Sequence, residues 1–166
     1  MVKIRYGMFE TNSSSTHTII VTDRKTEPGL HVDFSMGEFG WEFGKLTTID
    51  EKASYLYTAA CCLYNRDVYQ DLYETLVKYG VNCTCSNHAQ KDSNYNWVDN
   101  GYVDHVGDLN SFVDRMMKHE HALIKYLFSD ESFVLTGNDN CDDDEYEWIQ
   151  NEADVDYPHQ KYYKGN

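Results

Sequence analysis

Thr48-Ile49-Asp50-Glu51-Lys52-Ala53-Ser54-Tyr55-Leu56-Tyr57-Thr58-Ala59-Ala60-Cys61-Cys62-Leu63 reads as an amphipathic helix with its own start signal. Thr48 and Glu51 have capping-box spacing, a hydroxyl at the cap and a carboxylate three residues on. Ile49, Ala53, Leu56, Ala60 and Leu63 recur at offsets of four and three, which places them on one buried stripe. Asn65 interrupts the pattern, and Val68, Leu72 and Leu76 resume it in a second helix that ends at Gly80. Val81 to Cys85 reads as a strand. Residues 86–101 are polar and Asn-rich, a loop, and Tyr102-Val103 forms a short strand. Asp108 caps a third helix whose inner face is Leu109, Val113, Met116, Leu123 and Leu127, with Glu120 the polar residue on that stripe. Ser132 to Thr136 is the last strand, and Asp142 to Gln150 reads as a short helix carrying Trp148.

Upstream of Thr48 the period falls to two. Ile4, Tyr6 and Met8 alternate, the turn-forming run Thr11 to Ser15 breaks the strand, and His17 to Thr22 is β-branched. The pair predicts an N-terminal β-hairpin. Pro28-Gly29 turns the chain again, after which Leu30, Val32 and Phe34 alternate. Phe39, Trp41 and Phe43 do the same between Gly37, Gly40 and Gly44. Strands followed by helices predict an α+β domain, one mixed or antiparallel sheet covered by about three helices. Residues 1–156 are expected to be that single domain and 157–166 a C-terminal tail.

Composition sets outer limits. The chain has 166 residues, 41% hydrophobic and 14% aromatic, enough for a core without staples. An odd cysteine count of five argues against a disulfide framework, and Cys61-Cys62 read as small core residues. The first residues carry two cations but no apolar stretch behind them, so a cytoplasmic location is expected and a membrane one is not. Twenty-eight acids against fourteen bases give a net charge of −14. Residues 126–166 hold eleven of the acids and two of the bases, a net of −9, with no Lys or Arg before Lys161. Such a field repels phosphate backbones, so direct nucleic-acid binding is disfavoured.

Glu10-Thr11-Asn12-Ser13-Ser14-Ser15-Thr16-His17 concentrates hydroxyls and turn amides that suit a phosphate or carboxylate. His17 and Ser14, with His105, are the candidate catalytic residues. Candidate binding residues are Glu10, Asn12, Ser13, Ser14, Ser15, His17, Trp41, Asn138, Asp139 and Asn140, with the acidic run Asp142, Asp143, Asp144 and Glu145. No metal or cofactor is expected. Cys83 and Cys85 have one residue between them where zinc pairs prefer two to four, and share a strand face that suits packing. His119 and His121 diverge on a helix and read as surface residues. Asn138 to Ile149 lacks the Gly and the final Glu of a calcium loop. Neither the Gly-x-Ser-x-Gly elbow nor a phosphate-loop Gly-Lys-Ser/Thr is present. Fourteen tyrosines suit interfaces, and Tyr57, Tyr64, Tyr69, Tyr73 and Tyr79 crowd the two central helices.

Glu10 to His17, Gly37-Glu38-Phe39-Gly40-Trp41-Glu42, Asp104-His105 and Thr136-Gly137-Asn138-Asp139-Asn140 together resemble a group of small uncharacterised proteins encoded by bacteriophages and mobile elements. The resemblance implies a setting, a phage protein in a host cell, and no mechanism. Two functions are compatible with the residues. One is an acidic binding protein that inhibits or modulates a host or defence protein by occupying its basic, nucleic-acid-binding surface. The other is a small enzyme acting on a nucleotide or phosphoester, in which His17, His105, the Ser13–Ser15 loop and Asn138 to Asn140 converge.

Overall fold

Thr48 caps its helix as its spacing predicts. Its hydroxyl accepts from the Glu51 N–H at 3.3 Å, and the Glu51 carboxylate accepts from the Thr48 N–H at 3.0 Å. A computed structural model describes residues 17–40, 42, 44–91, 100–104, 109–137 and, for the backbone alone, 160–164. In chain order its elements are β1 (Thr18–Thr22), β2 (His31–Ser35), β3 (Glu38–Phe39), β4 (Gly44–Leu46), α1 (Ile49–Tyr64), α2 (Tyr69–Val77), β5 (Asn82–Asn87), β6 (Tyr102–Val103), α3 (Leu109–Lys118), α4 (Glu120–Phe128), β7 (Phe133–Thr136) and β8 (Gln160–Lys164). The α+β class stands. No helix among the described residues is long and apolar enough to cross a membrane.

The strands divide into three sheets where the sequence suggests one. The largest has the order β4-β7-β1-β8 and is antiparallel throughout, while β2–β5 and β3–β6 are two-stranded parallel pairs. All five residues of β1, Thr-Ile-Ile-Val-Thr, are buried. A strand covered on both faces shows a continuous apolar run instead of alternation, and such a strand belongs in the middle of a sheet. Thr18 to Ile20 pair with Leu135 to Phe133 on one edge and with Lys164 to Tyr162 on the other. Both edges of β1 are thus occupied at Thr18–Ile20; residues 3–9, the other strand of the expected hairpin, lie outside the described residues. Residues 160–164, within the stretch expected as a tail, pair with β1 as its second neighbour.

At the centre lies α1, which packs against β2, β6, α3 and α4. Its burial exceeds one stripe: Lys52, Ala53 and every residue from Tyr55 to Cys61 are inaccessible or nearly so. Leu63 and Cys62, read as inward, are exposed, because the helix emerges from the core in its last turn. Asn65 stops it in a left-handed conformation (φ 52°), which its short polar side chain tolerates. Gly80, at φ 76°, ends the turn after α2.

The third helix is two. His119, with extended backbone at φ −127° and ψ 95°, breaks the run between α3 and α4. Val113, Met116, Leu123 and Leu127 are buried as their spacing predicts, on both sides of the break. Periodicity records the buried face and is blind to a change of helix axis. Gly101 marks the closest backbone approach, since a Cβ there would stand 2.7 Å from the Gly37 carbonyl oxygen. That proximity lets β3 and β6 pair.

The tyrosine excess has a structural use. Rings pack inward while hydroxyls tie one element to another: Tyr57 to Asp67, Tyr64 to Asp114, Tyr69 to the Cys83 carbonyl, Tyr79 to Glu120 and Tyr126 to the Lys52 carbonyl. Burying a phenol without such a partner would cost free energy. Of Tyr57, Tyr64, Tyr69, Tyr73 and Tyr79, only Tyr73 is exposed.

Candidate functional site

The described residues of four separate stretches, 10–17, 37–42, 104–105 and 136–140, meet at one corner of the fold. His17 precedes β1, and its Nε2 lies 2.9 Å from the Gly40 carbonyl oxygen. Glu42 gives its carbonyl to the Thr136 hydroxyl at 2.7 Å, and Thr136 pairs with Gly44 across β4–β7. Asp104 donates its N–H to the Phe39 carbonyl at 2.9 Å and acts electrostatically on His17. Strand pairing brings the described ends of 10–17, 37–42, 104–105 and 136–140 together from positions more than a hundred residues apart. Glu10, Asn12, Ser13, Ser14, Ser15, Trp41, His105, Asn138, Asp139, Asn140, Asp142, Asp143, Asp144 and Glu145 lie outside the described residues.

His17 is placed differently from its expected role. It is fully buried, with Nδ1 3.0 Å from the Tyr55 hydroxyl. The Gly40 carbonyl can only accept, so Nε2 carries the proton and Nδ1 accepts from Tyr55. Both nitrogens of the neutral ring are thus used. Burial lowers the pKa of His17, and the Gly40 carbonyl and Asp104 only partly offset that. The ring also begins an aromatic column: Tyr55 at 5.8 Å, Phe39 edge-on to Tyr55 at 5.1 Å, and Phe112 edge-on to Tyr126 at 5.0 Å. His17 pins this corner to α1; it is not a freely accessible base.

Two polar clusters escaped the sequence reading. In the first, Asp67 accepts from the Tyr57 hydroxyl at 2.8 Å and the Tyr69 N–H at 2.8 Å, and lies 3.0 Å from His88 Nδ1. Burial pushes the Asp67 carboxyl up, but these bonds outweigh it and hold it below the usual range. Cys61, behind Tyr57, is pushed up to about 12 by burial and stays a thiol. In the second, on the outer face of β2–β5, the Thr84 hydroxyl donates to Asp33 at 2.6 Å and lies 3.2 Å from His31 Nε2. Neither cluster leaves a sequence signal, because its members come from elements far apart in the chain. Cys83 and Cys85 share the inner face of β5 and pack on the core. Among the described residues no three His, Cys, Asp or Glu side chains group to hold a metal ion.

A hollow of about 420 Å³ lies where α3 meets α4, lined by Arg115, Lys118, His119, Glu120, His121 and Lys125, with Ala122. His119 and His121, read as surface residues, are exposed there. Compared with protein-family models, curated proteins and solved structures, the chain matches none.

Proposed function

We propose that the protein is an acidic binding protein that docks on the basic surface of a host or defence protein during infection by a bacteriophage. The charge distribution carries this reading: −9 of the net −14 belongs to residues 126–166. A field of that size resists the compact state by self-repulsion, and a cationic partner relieves it. The burial of His17 supports the same side, since it withdraws one base from the enzymatic alternative. The test is the association rate with a partner captured from infected cells, measured against ionic strength. Wild type should associate fast and slow markedly as the screening length falls below ~10 Å. Asp142→Asn, Asp143→Asn, Asp144→Asn and Glu145→Gln combined should slow association and flatten the salt dependence. Equal rates for the two proteins would overturn the reading.

One observation favours a second reading, a phosphoester-processing site: the convergence of His17, Gly40, Glu42, Asp104 and Thr136 at one corner. Functional sites collect where a rigid scaffold holds several chain segments together, and the described residues of all four stretches meet at this corner. Hydrolysis of bis(p-nitrophenyl) phosphate that disappears in Asp104→Asn at unchanged melting temperature would support it. Absence of hydrolysis by the wild-type protein would remove it.

A further inference from the structure

The hollow between α3 and α4 runs against the character of the chain. From Arg115 to Lys125 there are three cations, two histidines and one acid, a local net of +2 in a protein of −14. The lone acid, Glu120, is already neutralised: Lys78 Nζ lies 2.8 Å away and the Tyr79 hydroxyl donates to it at 3.0 Å. Lys118 is shared with Asp114, and Lys125 donates to the neutral carbonyl of Asp23, so its charge is uncompensated by that bond. Among the described side chains, Arg115 makes no ion pair and no hydrogen bond. Arg115 and Lys118 stand three residues apart on α3, hence on one face, and the break at His119 turns α4 so that His121 and Lys125 face the same space. Cations in a last helical turn complement the helix dipole, which accounts for Arg115 and Lys118 at the end of α3 and for Lys125 at the end of α4, each taken singly. It does not account for cationic side chains from two helices lining one hollow.

We propose that this hollow binds a small, multiply charged phosphate-bearing anion. With about 420 Å³ of open space and a lining of charged and polar side chains, the hollow admits a pyrophosphate-sized anion. A planar guanidinium beside ammonium groups suits phosphate oxygens, which Arg contacts in bidentate fashion. A long polyanion would extend beyond the hollow into the negative field of the rest of the chain, whereas a compact one meets only the local cations. The ligand is therefore a free polyphosphate-type group and not nucleic acid. This proposal does not rest on the acidic docking reading.

The test is a titration of the full chain with inorganic pyrophosphate at constant ionic strength, followed by calorimetry and by the proton resonances of the histidine rings. Saturable one-to-one binding that perturbs His119 and His121 is expected. Arg115→Gln and Lys118→Gln should each weaken it by about tenfold, as charge-assisted bonds are lost. Lys45→Gln, outside the lining, should change nothing. Glu120→Gln removes the one carboxylate and should tighten binding, a gain that partial unfolding cannot imitate. A response that does not saturate, or one that is indifferent to Arg115 and Lys118, would mean an adventitious ion only and overturn the proposal. Adenosine triphosphate binding at least as tightly as pyrophosphate supports a free polyphosphate ligand. Tighter binding of a phosphoserine peptide or of a single-stranded oligonucleotide would overturn that assignment.

Discussion

Two buried ionisable residues carry the sharpest expectations at the scale of single side chains. His17 holds the Gly40 carbonyl and the Tyr55 hydroxyl in a dry corner, so His17→Ala leaves two buried polar groups without partners. The expected cost is about 2–4 kcal/mol by urea denaturation, above the ~0.5 kcal/mol of an ordinary surface change. A cost below ~1 kcal/mol would mean that water enters the corner freely. The folded pKa of His17 lies below 6.5, so the unfolded chain takes up a proton first; the histidine's contribution is full above pH 6.5 and shrinks as pH falls below it. Lys52 is the opposite kind of surprise, a lysine 1% exposed in the middle of α1. Its ammonium donates to the Ser129 carbonyl at 2.8 Å and the Ser132 carbonyl at 3.0 Å, fastening α1 to the loop between α4 and β7. Burial pulls its pKa down from 10.5 to about 8, against the weaker pull of Asp130 and Glu51. Between those values the folded state has lost the proton while the unfolded state keeps it, so stability rises with pH across that window. Denaturation at several pH values from 8 to 10 should show wild type gaining on Lys52→Met as pH rises. A constant difference between the two would show that the site is wetter than its burial indicates.

At the scale of elements, the capping box and β8 differ in how far the chain foretells them. Thr48→Ala removes a local cap and should cost about 1 kcal/mol in denaturant. No change in the denaturation midpoint would mean that packing alone holds the start of α1. β8 is another matter, because its pairing with β1 spans more than a hundred residues. A chain ending at residue 159 strips β1 of one neighbour and turns a central strand into an edge. The backbone amides of β1 that face β8 should then exchange with solvent faster than in the full chain, while those of α1 hold. Unchanged exchange in residues 18–22 would show that β8 contributes no protection. The division of the third helix at His119 belongs here too. Both halves bury the stripe that their spacing predicts, and only the packing of α3 and α4 sets the angle between them.

For the whole molecule the dominant quantity is charge. A net of −14 on 166 residues opposes folding through repulsion among surface carboxylates. Salt screens that repulsion, so raising sodium chloride from about 20 mM to about 500 mM should lift the melting temperature by a few degrees. A melting temperature that falls with salt would mean that the surface ion pairs, such as Lys78–Glu120 and Lys118–Asp114, outweigh the net field.

What the amino-acid order determined by itself was local. The cap at Thr48, the stop at Asn65, the buried faces of α2, α3 and α4, and the strands at Thr18–Thr22 and Phe133–Thr136 follow from side-chain chemistry within a few residues and from periods of 3.6 and two. The α+β class follows from their succession. Tertiary structure decided whatever depends on which distant pieces meet. It made β1 a central strand, placed β8 beside it, split the sheet into three and wrapped α1 on nearly every side. It also turned His17 from a loop base into a buried pin, joined Asp67 to His88 and set Arg115 and Lys125 around one hollow. The reason is physical: a side chain's propensity acts over one turn of chain. Its burial, its hydrogen-bond partner and its pKa are set by neighbours that only the closed core brings within a few ångströms.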